Sequence, residues 1–107
     1  MGNNELTTLG IINSPSLGDR FLKNLSTWLA TSPSLTHLTL SHVSLTSAAA
    51  VVLSDAMHTN VHLSHLDLRG NTISDPGAIS LAGAMIITSH LSVILLDSNN
   101  IGEAVST

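Results

Sequence analysis

The sequence predicts an α/β solenoid, with short parallel strands on a concave side and helices on a convex side, stacked into a curved horseshoe fragment. Three observations predict it. Apolar residues recur in one frame with a spacing of 28 residues: Leu63, Leu66, Leu68, Asn71 and Ile73 have counterparts at Leu35, Leu38, Leu40, Val43 and Leu45, and again at Leu91, Ile94, Leu96, Asn99 and Ile101. Within that frame Leu66 and Leu68 alternate with His65, Asp67 and Arg69, the period of a half-buried strand. Further on, Ala78, Leu81, Ala82 and Met85 stand at i, i+3, i+4 and i+7, one face of a helix. A single strand-helix unit cannot bury both apolar faces, whereas stacked units bury them against each other.

The helical half keeps the same register, with Leu22, Ala50 and Ala78, then Leu25, Leu53 and Leu81, then Leu29, Met57 and Met85, each 28 residues apart. The stretch from Leu63 to Ile73 reads L-x-x-L-x-L-x-x-N-x-L with Ile in the final slot. This resembles the leucine-rich repeat, and the period is similar to that of its ribonuclease-inhibitor-like subclass. The resemblance covers roughly residues 6–101. It implies a leucine-rich-repeat solenoid with a full helix on the convex side of each unit, and a non-enzymatic scaffold whose protein partners dock on the concave strand face. Solenoids of this subclass also include activators of small GTPases and inhibitors of nucleases. The alternatives are therefore a regulator of another protein, or a piece of a longer repeat array with a structural role only.

Taken in order, residues 1–5 read as a polar tail and 6–107 as the repeat domain, in units 6–34, 35–62, 63–90 and a partial 91–107. Leu6, Leu9 and Ile11 fill the first strand slots. The stretch Asn13-Ser14-Pro15-Ser16 carries one extra residue, so the first unit is 29 residues long. Its helix is expected over about Asp19 to Ala30, with Trp28 a packing residue. The sequon Asn24-Leu25-Ser26 falls mid-helix and reads as accidental. In the second unit Thr46 or Ser47 can cap the helix that follows. In the third, Ser74-Asp75-Pro76 is a helix start, a capping side chain followed by proline in the first turn. Gly77 occupies a slot that Ala49 holds one unit earlier, so glycine is not expected to be required there. The fourth unit begins at Leu91, and Asn99 to Glu103 leads towards another helix. No polar terminal cap is visible, so a fragment or an assembly that buries this end is expected, with self-association or further repeats there.

Composition bounds the rest. A chain of 107 residues makes one domain, and only 9% of it is charged. Three cations, Arg20, Lys23 and Arg69, face seven carboxylates, and a net charge of −4 argues against a nucleic-acid footprint and a polybasic membrane patch. The absence of cysteine removes disulfides and Cys-rich zinc sites and points to a reducing, cytoplasmic setting. Met1 to Glu5 lacks signal-peptide features, and Leu6 stands where myristoylation after Gly2 wants Ser or Thr. Gly77 to Leu96 is free of charge over the length of a membrane span, but Ser80, Thr88, Ser89, His90 and Ser92 interrupt it. A helix, a turn and a strand explain it better.

The partner-binding candidates are the outward strand positions: His37 and Thr39, then His65, Asp67 and Arg69, then Val93, Leu95 and Asp97, flanked by Thr36, Ser41, Ser64 and Ser92. Val93 and Leu95 make the C-terminal end apolar beside Asp67 and Arg69, as a docking patch would be; a neighbouring segment covering them is the other reading. Asn71 and Asn99 occupy the repeat's asparagine slot, where a buried side chain satisfies backbone groups and stacks into a structural ladder. His37 and His65 share a slot on adjacent strands about 4.8 Å apart, His62 and His90 form a second pair, and Asp67 could join the first. Zinc wants further ligands, so exposed polar histidines are expected, with no metal and no cofactor. Ser64, His65 and Asp67 lie close in sequence, but adjacent strand residues point to different sides, so no catalytic triad is expected.

Overall fold

The computed structural model describes residues 6–31, 34–59, 62–88 and 90–99. The tail at 1–5, the myristoylation slot at Gly2, and the part of the fourth unit that includes Ile101 and the approach to a further helix lie outside the described residues. Strands and helices alternate: β1 (Thr8–Ile12), α1 (Gly18–Thr31), β2 (His37–Ser41), α2 (Ser47–Thr59), β3 (His65–Asp67), α3 (Asp75–Ile87) and β4 (Val93–Leu95). The strands form one parallel sheet in the order β1-β2-β3-β4. α2 packs between α1 and α3.

The register follows the 28-residue frame. His37 pairs with His65 and His65 with Val93; Leu38, Leu66 and Ile94 align beside them, and so do Thr39, Asp67 and Leu95. The leucines of this frame turn inward against the helices. Leu35, Leu38, Leu40, Leu63, Leu66 and Leu68 are buried together with Leu22, Leu29, Leu53, Met57 and Leu81. Gly18 and Gly70 adopt φ of +64° and +76°; the slot of Gly70 takes the same left-handed conformation at His42 and Ser98, with φ of +57° and +61°, and what bars a side chain at Gly70 is the His42 ring, which a Cβ there would overlap.

The units are tied to each other by side chains as well as by strands. Asn71 is 5% exposed. Its Oδ1 accepts the N–H groups of Val43 and Leu45, both at 3.1 Å, and its Nδ2 donates to Leu40 O at 2.8 Å and Leu68 O at 2.9 Å. Asn99 repeats the pattern one unit on, accepting Ile73 N–H at 2.9 Å and donating to Leu68 O and Leu96 O.

Helix starts are capped across units. Thr46 donates from its N–H and its hydroxyl to the Asp19 carboxylate, while Ala48 N–H reaches Thr46 Oγ1 at 3.3 Å. At α3, the capping role expected of Ser74 is taken by another residue. Ser74 stands at the cap position but its side chain accepts no helix N–H. Ser47 Oγ of the preceding unit accepts the N–H groups of Ser74 and Gly77, at 3.0 and 3.1 Å. Asp19, Ser47 and Asp75 share one slot of the frame, so a residue in one unit serves the helix of the next.

Gly77 departs from the expectation that alanine would serve as well. A Cβ there would lie 2.8 Å from Ile73 Cγ2, 2.9 Å from Ala50 Cβ and 2.9 Å from Ser47 Cα. The backbone of α2 approaches too closely for a methyl group. At the other end of the helix row, the slots of Ala49 and Ala56, and of Gly77 and Ala84, are held in α1 by Phe21 and Trp28. Both rings pack half-buried against the core, covering a flank of α1 that the two later helices cover with a neighbouring helix. Among the described residues no helix is long and apolar enough to cross a membrane; Gly77 to Leu96 divides into α3, a connection and β4.

Candidate functional site

The sheet brings the outward strand residues into three rows across the concave face. The first runs Thr8, His37, His65, Val93, and the second Gly10, Thr39, Asp67, Leu95. Arg69 and Asp97 follow where β3 and β4 turn away, linked through the Gly70 N–H to Asp97 O bond of 3.0 Å. His37, His65, Thr39, Asp67, Val93 and Leu95 line one shallow depression of about 170 Å³. Leu95 is 37% exposed and Val93 is half-buried, so the apolar end of the face is open.

His37 and His65 stack, with ring centroids 4.2 Å apart and planes inclined by 12°. The residue before each one sets its orientation. Thr36 Oγ1 and Ser64 Oγ lie 2.8 Å from Nδ1 of the following histidine. Both hydroxyls also donate to a carbonyl of the preceding strand segment, Thr36 to Thr7 O at 3.1 Å and Ser64 to Thr36 O at 3.2 Å. Each hydroxyl thus lies between the ring and a carbonyl that already accepts two backbone N–H groups, and it ties the imidazole to the sheet.

Asp67 and Arg69 form the charged part of the face. Arg69 Nε donates to Oδ1 at 3.0 Å, its NH2 group donates to Oδ2 at 2.8 Å, and its backbone N–H reaches Oδ1 at 3.1 Å. The side-chain bonds from Arg69 hold the Asp67 carboxyl below the usual carboxylate range; partial burial opposes this, and the Arg69 backbone N–H and charge add to it. The Arg69 guanidinium is raised correspondingly by Asp67, with a smaller contribution from the Asp97 charge. A bidentate clamp of this kind fixes the guanidinium in one orientation while leaving donors for a partner.

The other sequence candidates separate. His90 turns to the backbone: its Nδ1 lies 2.8 Å from Leu63 O and its Nε2 3.2 Å from Met57 O. Asp67 faces Arg69 rather than a metal position beside His65, and among the described residues no group of three or more His, Cys, Asp or Glu side chains is placed to hold a metal ion. The expectation that Ser64 and His65 point apart is corrected by the 2.8 Å contact between Ser64 Oγ and His65 Nδ1. Both oxygens of Asp67 are held by Arg69, so Ser64, His65 and Asp67 form no relay.

Two features escaped the reading of the sequence. One is the hydroxyl-histidine pairing, whose signal was the dipeptide Thr36-His37 returning as Ser64-His65 in the same frame. The other is on the convex side, where Ile79, Ile86 and Ile87 are 61%, 84% and 71% exposed. Its signal was apolar residues at helix slots where α1 and α2 carry mostly polar ones.

Comparison with known proteins agrees with this geometry. The family model described as Leucine Rich repeat matches residues 59–82. No curated protein matches the sequence. Among solved structures the chain is similar to one described as Leiomodin-1 Actin-Binding Site 2 (ABS2), with a TM-score of 0.82 and 18% identity, over 92% of this chain and 57% of that one. The chain therefore spans little more than half the length of that structure. The four parallel strands, the helices between them and the matched repeat give this chain the fold of a leucine-rich-repeat solenoid.

Proposed function

We propose that the chain is a non-enzymatic protein-binding scaffold that engages its partner through the concave strand face. The observation that carries this is the mixed character of that face: two stacked imidazoles, a guanidinium held in place by Asp67, and the open apolar pair Val93 and Leu95, all within adjoining rows. Its depression of about 170 Å³ is smaller than the roughly 300–1,000 Å³ of small-molecule pockets, which favours a macromolecular surface. The structural neighbour is described as an actin-binding site, and it supports protein binding as a use of this fold. The 28-residue period and helices of 13 or 14 residues support the ribonuclease-inhibitor-like subclass. The lack of cysteine suits a cytoplasmic setting.

Replacing His65, Asp67, Arg69 and Leu95 together by alanine tests the reading. The variant should keep its circular dichroism and lose the chain's protein interactions. Retention of every interaction would place the docking surface elsewhere. A second reading, that the chain is one part of a longer array, is favoured by a specific difference in burial. Ser54 and Met57 of α2 are 5% and 0% exposed beneath α3, whereas their counterparts Ala82 and Met85 on α3 are exposed and half-buried.

A further inference from the structure

α3 carries a second apolar stripe that the solenoid core does not use. Gly77, Ala78, Leu81 and Ala84 form its buried side. Ile79, Ala82, Gly83, Ile86 and Ile87 follow the i, i+3, i+4, i+7, i+8 pattern on the opposite side, where the three isoleucines are largely exposed. The same slots on α2 hold Val51, Ser54, Asp55, His58 and Thr59. A helix that is apolar all round is normally covered all round.

A further repeat stacked on α3 would not cover this stripe. The packing of α2 beneath α3 shows what such a unit hides: Ser54 and Met57 are buried, while Val51 stays 42% exposed and Asp55, His58 and Thr59 remain exposed. By the same geometry an in-frame neighbour would hide Ala82 and Met85 and leave Ile79, Gly83, Ile86 and Ile87 outside.

We propose that a second copy of the chain docks here, α3 against α3, antiparallel about a twofold axis at Gly83. A twofold interface must be complementary to itself, and this stripe is. Ile79 and Ile87 stand four residues before and after Gly83, so rotation about Gly83 brings each onto the other, with Ile86 beside the contact. A Cβ built on Gly83 meets nothing within 4 Å, so the axis position is open and lets two helices approach closely. The stripe contains no charged side chain; the one charge on α3 is Asp75, in the first turn. The stripe itself therefore sets no charged side chain against its symmetry mate. Three isoleucines per copy make a contact below the roughly 1,200 Å² of a stable interface, so the association is weak.

Sedimentation equilibrium from micromolar to millimolar concentrations tests the proposal on the full chain. A monomer–dimer equilibrium is expected. Ile86→Glu, at a side chain outside the core, should weaken it by about tenfold or more with an unchanged dichroism spectrum. Gly83→Ala supplies an independent arm with opposite signs. It should raise the melting temperature of the monomer, because alanine favours a helix over glycine, and weaken the dimer, because the added methyl sits on the axis. A monomer throughout the range would overturn the proposal. So would a dimer insensitive to both variants and abolished by Met85→Glu, which would put the contact at the open end of the stack. Binding of a monomer to neutral phosphatidylcholine vesicles would overturn it in favour of a lipid surface. None of these outcomes bears on the concave face, which the alanine variant above tests separately.

Discussion

Asn71 joins three segments through one amide: the β2 end at Leu40, the turn at Val43 and Leu45, and its own strand at Leu68. Removing it leaves two N–H groups and two carbonyls without these partners in a buried site, each unmet group costing on the order of 1–3 kcal/mol. Asn71→Ala should therefore lower unfolding free energy by about 3 kcal/mol or more in a urea titration. Asn99→Ala should cost less, because Asn99 is only half-buried where Asn71 is buried. Equal losses would mean that burial does not set the difference. The slot itself was legible, since asparagine at a fixed place in the frame has few other uses. Its partners were not, because three of the four lie one unit away in the chain. Asp67 gives a second prediction at this scale. Its carboxyl is held below the usual range, chiefly by Arg69, so folding favours the ionised form. The stabilisation is fully present above the unfolded carboxyl's pKa and is lost as pH falls through the lower, folded one. The difference in melting temperature between the wild type and Asp67→Asn should thus be larger at pH 6 than below about pH 3. A constant difference would assign the effect to something other than ionisation.

Element by element, the first helix, Gly18–Thr31, lies within a residue of the span that periodicity predicts, while the third departs from its local start signal in one respect. Ser74 has the right side chain at the right position, yet Ser47 of the preceding unit accepts the N–H groups of Ser74 and Gly77. Local sequence rules describe a helix that caps itself, whereas stacking at this spacing lets the previous unit do it. Ser47→Ala should therefore destabilise α3 rather than α2, by about 1 kcal/mol, with faster amide exchange at Ser74 and Gly77. Loss of protection confined to α2 would refute the cross-unit cap. Gly77 shows the same dependence on a neighbour. In an isolated helix Gly→Ala gains about 1 kcal/mol. Here the methyl meets Ala50 Cβ and Ser47 Cα at 2.9 Å, and overpacking of this kind costs about 1–3 kcal/mol. Gly77→Ala should lower the melting temperature while Gly83→Ala raises it, two identical substitutions in one helix with opposite outcomes.

For the whole molecule, stability in a stack is close to a sum over units and the contacts between neighbours. The frame of leucines shows that the units stack, and it carries the sheet order and register with it. It does not show how unevenly they are buried, since that depends on which units have a neighbour on both sides. α2, between α1 and α3, has six buried residues, against three in α1 and four in α3. β2 and α2 also receive bonds from the next unit, through Asn71 and Ser47. Native-state amide exchange should then be slowest in β2 and α2 and faster towards β1 and β4, with the outer units opening before the whole chain unfolds. Association through α3 adds a second expectation. Raising the concentration should slow exchange in α3 selectively, since a partner that binds the folded state stabilises it by mass action, and leave β1 unaffected. Uniform protection at every concentration would mean that the short stack opens only as one unit, with neither its ends nor its convex stripe behaving separately.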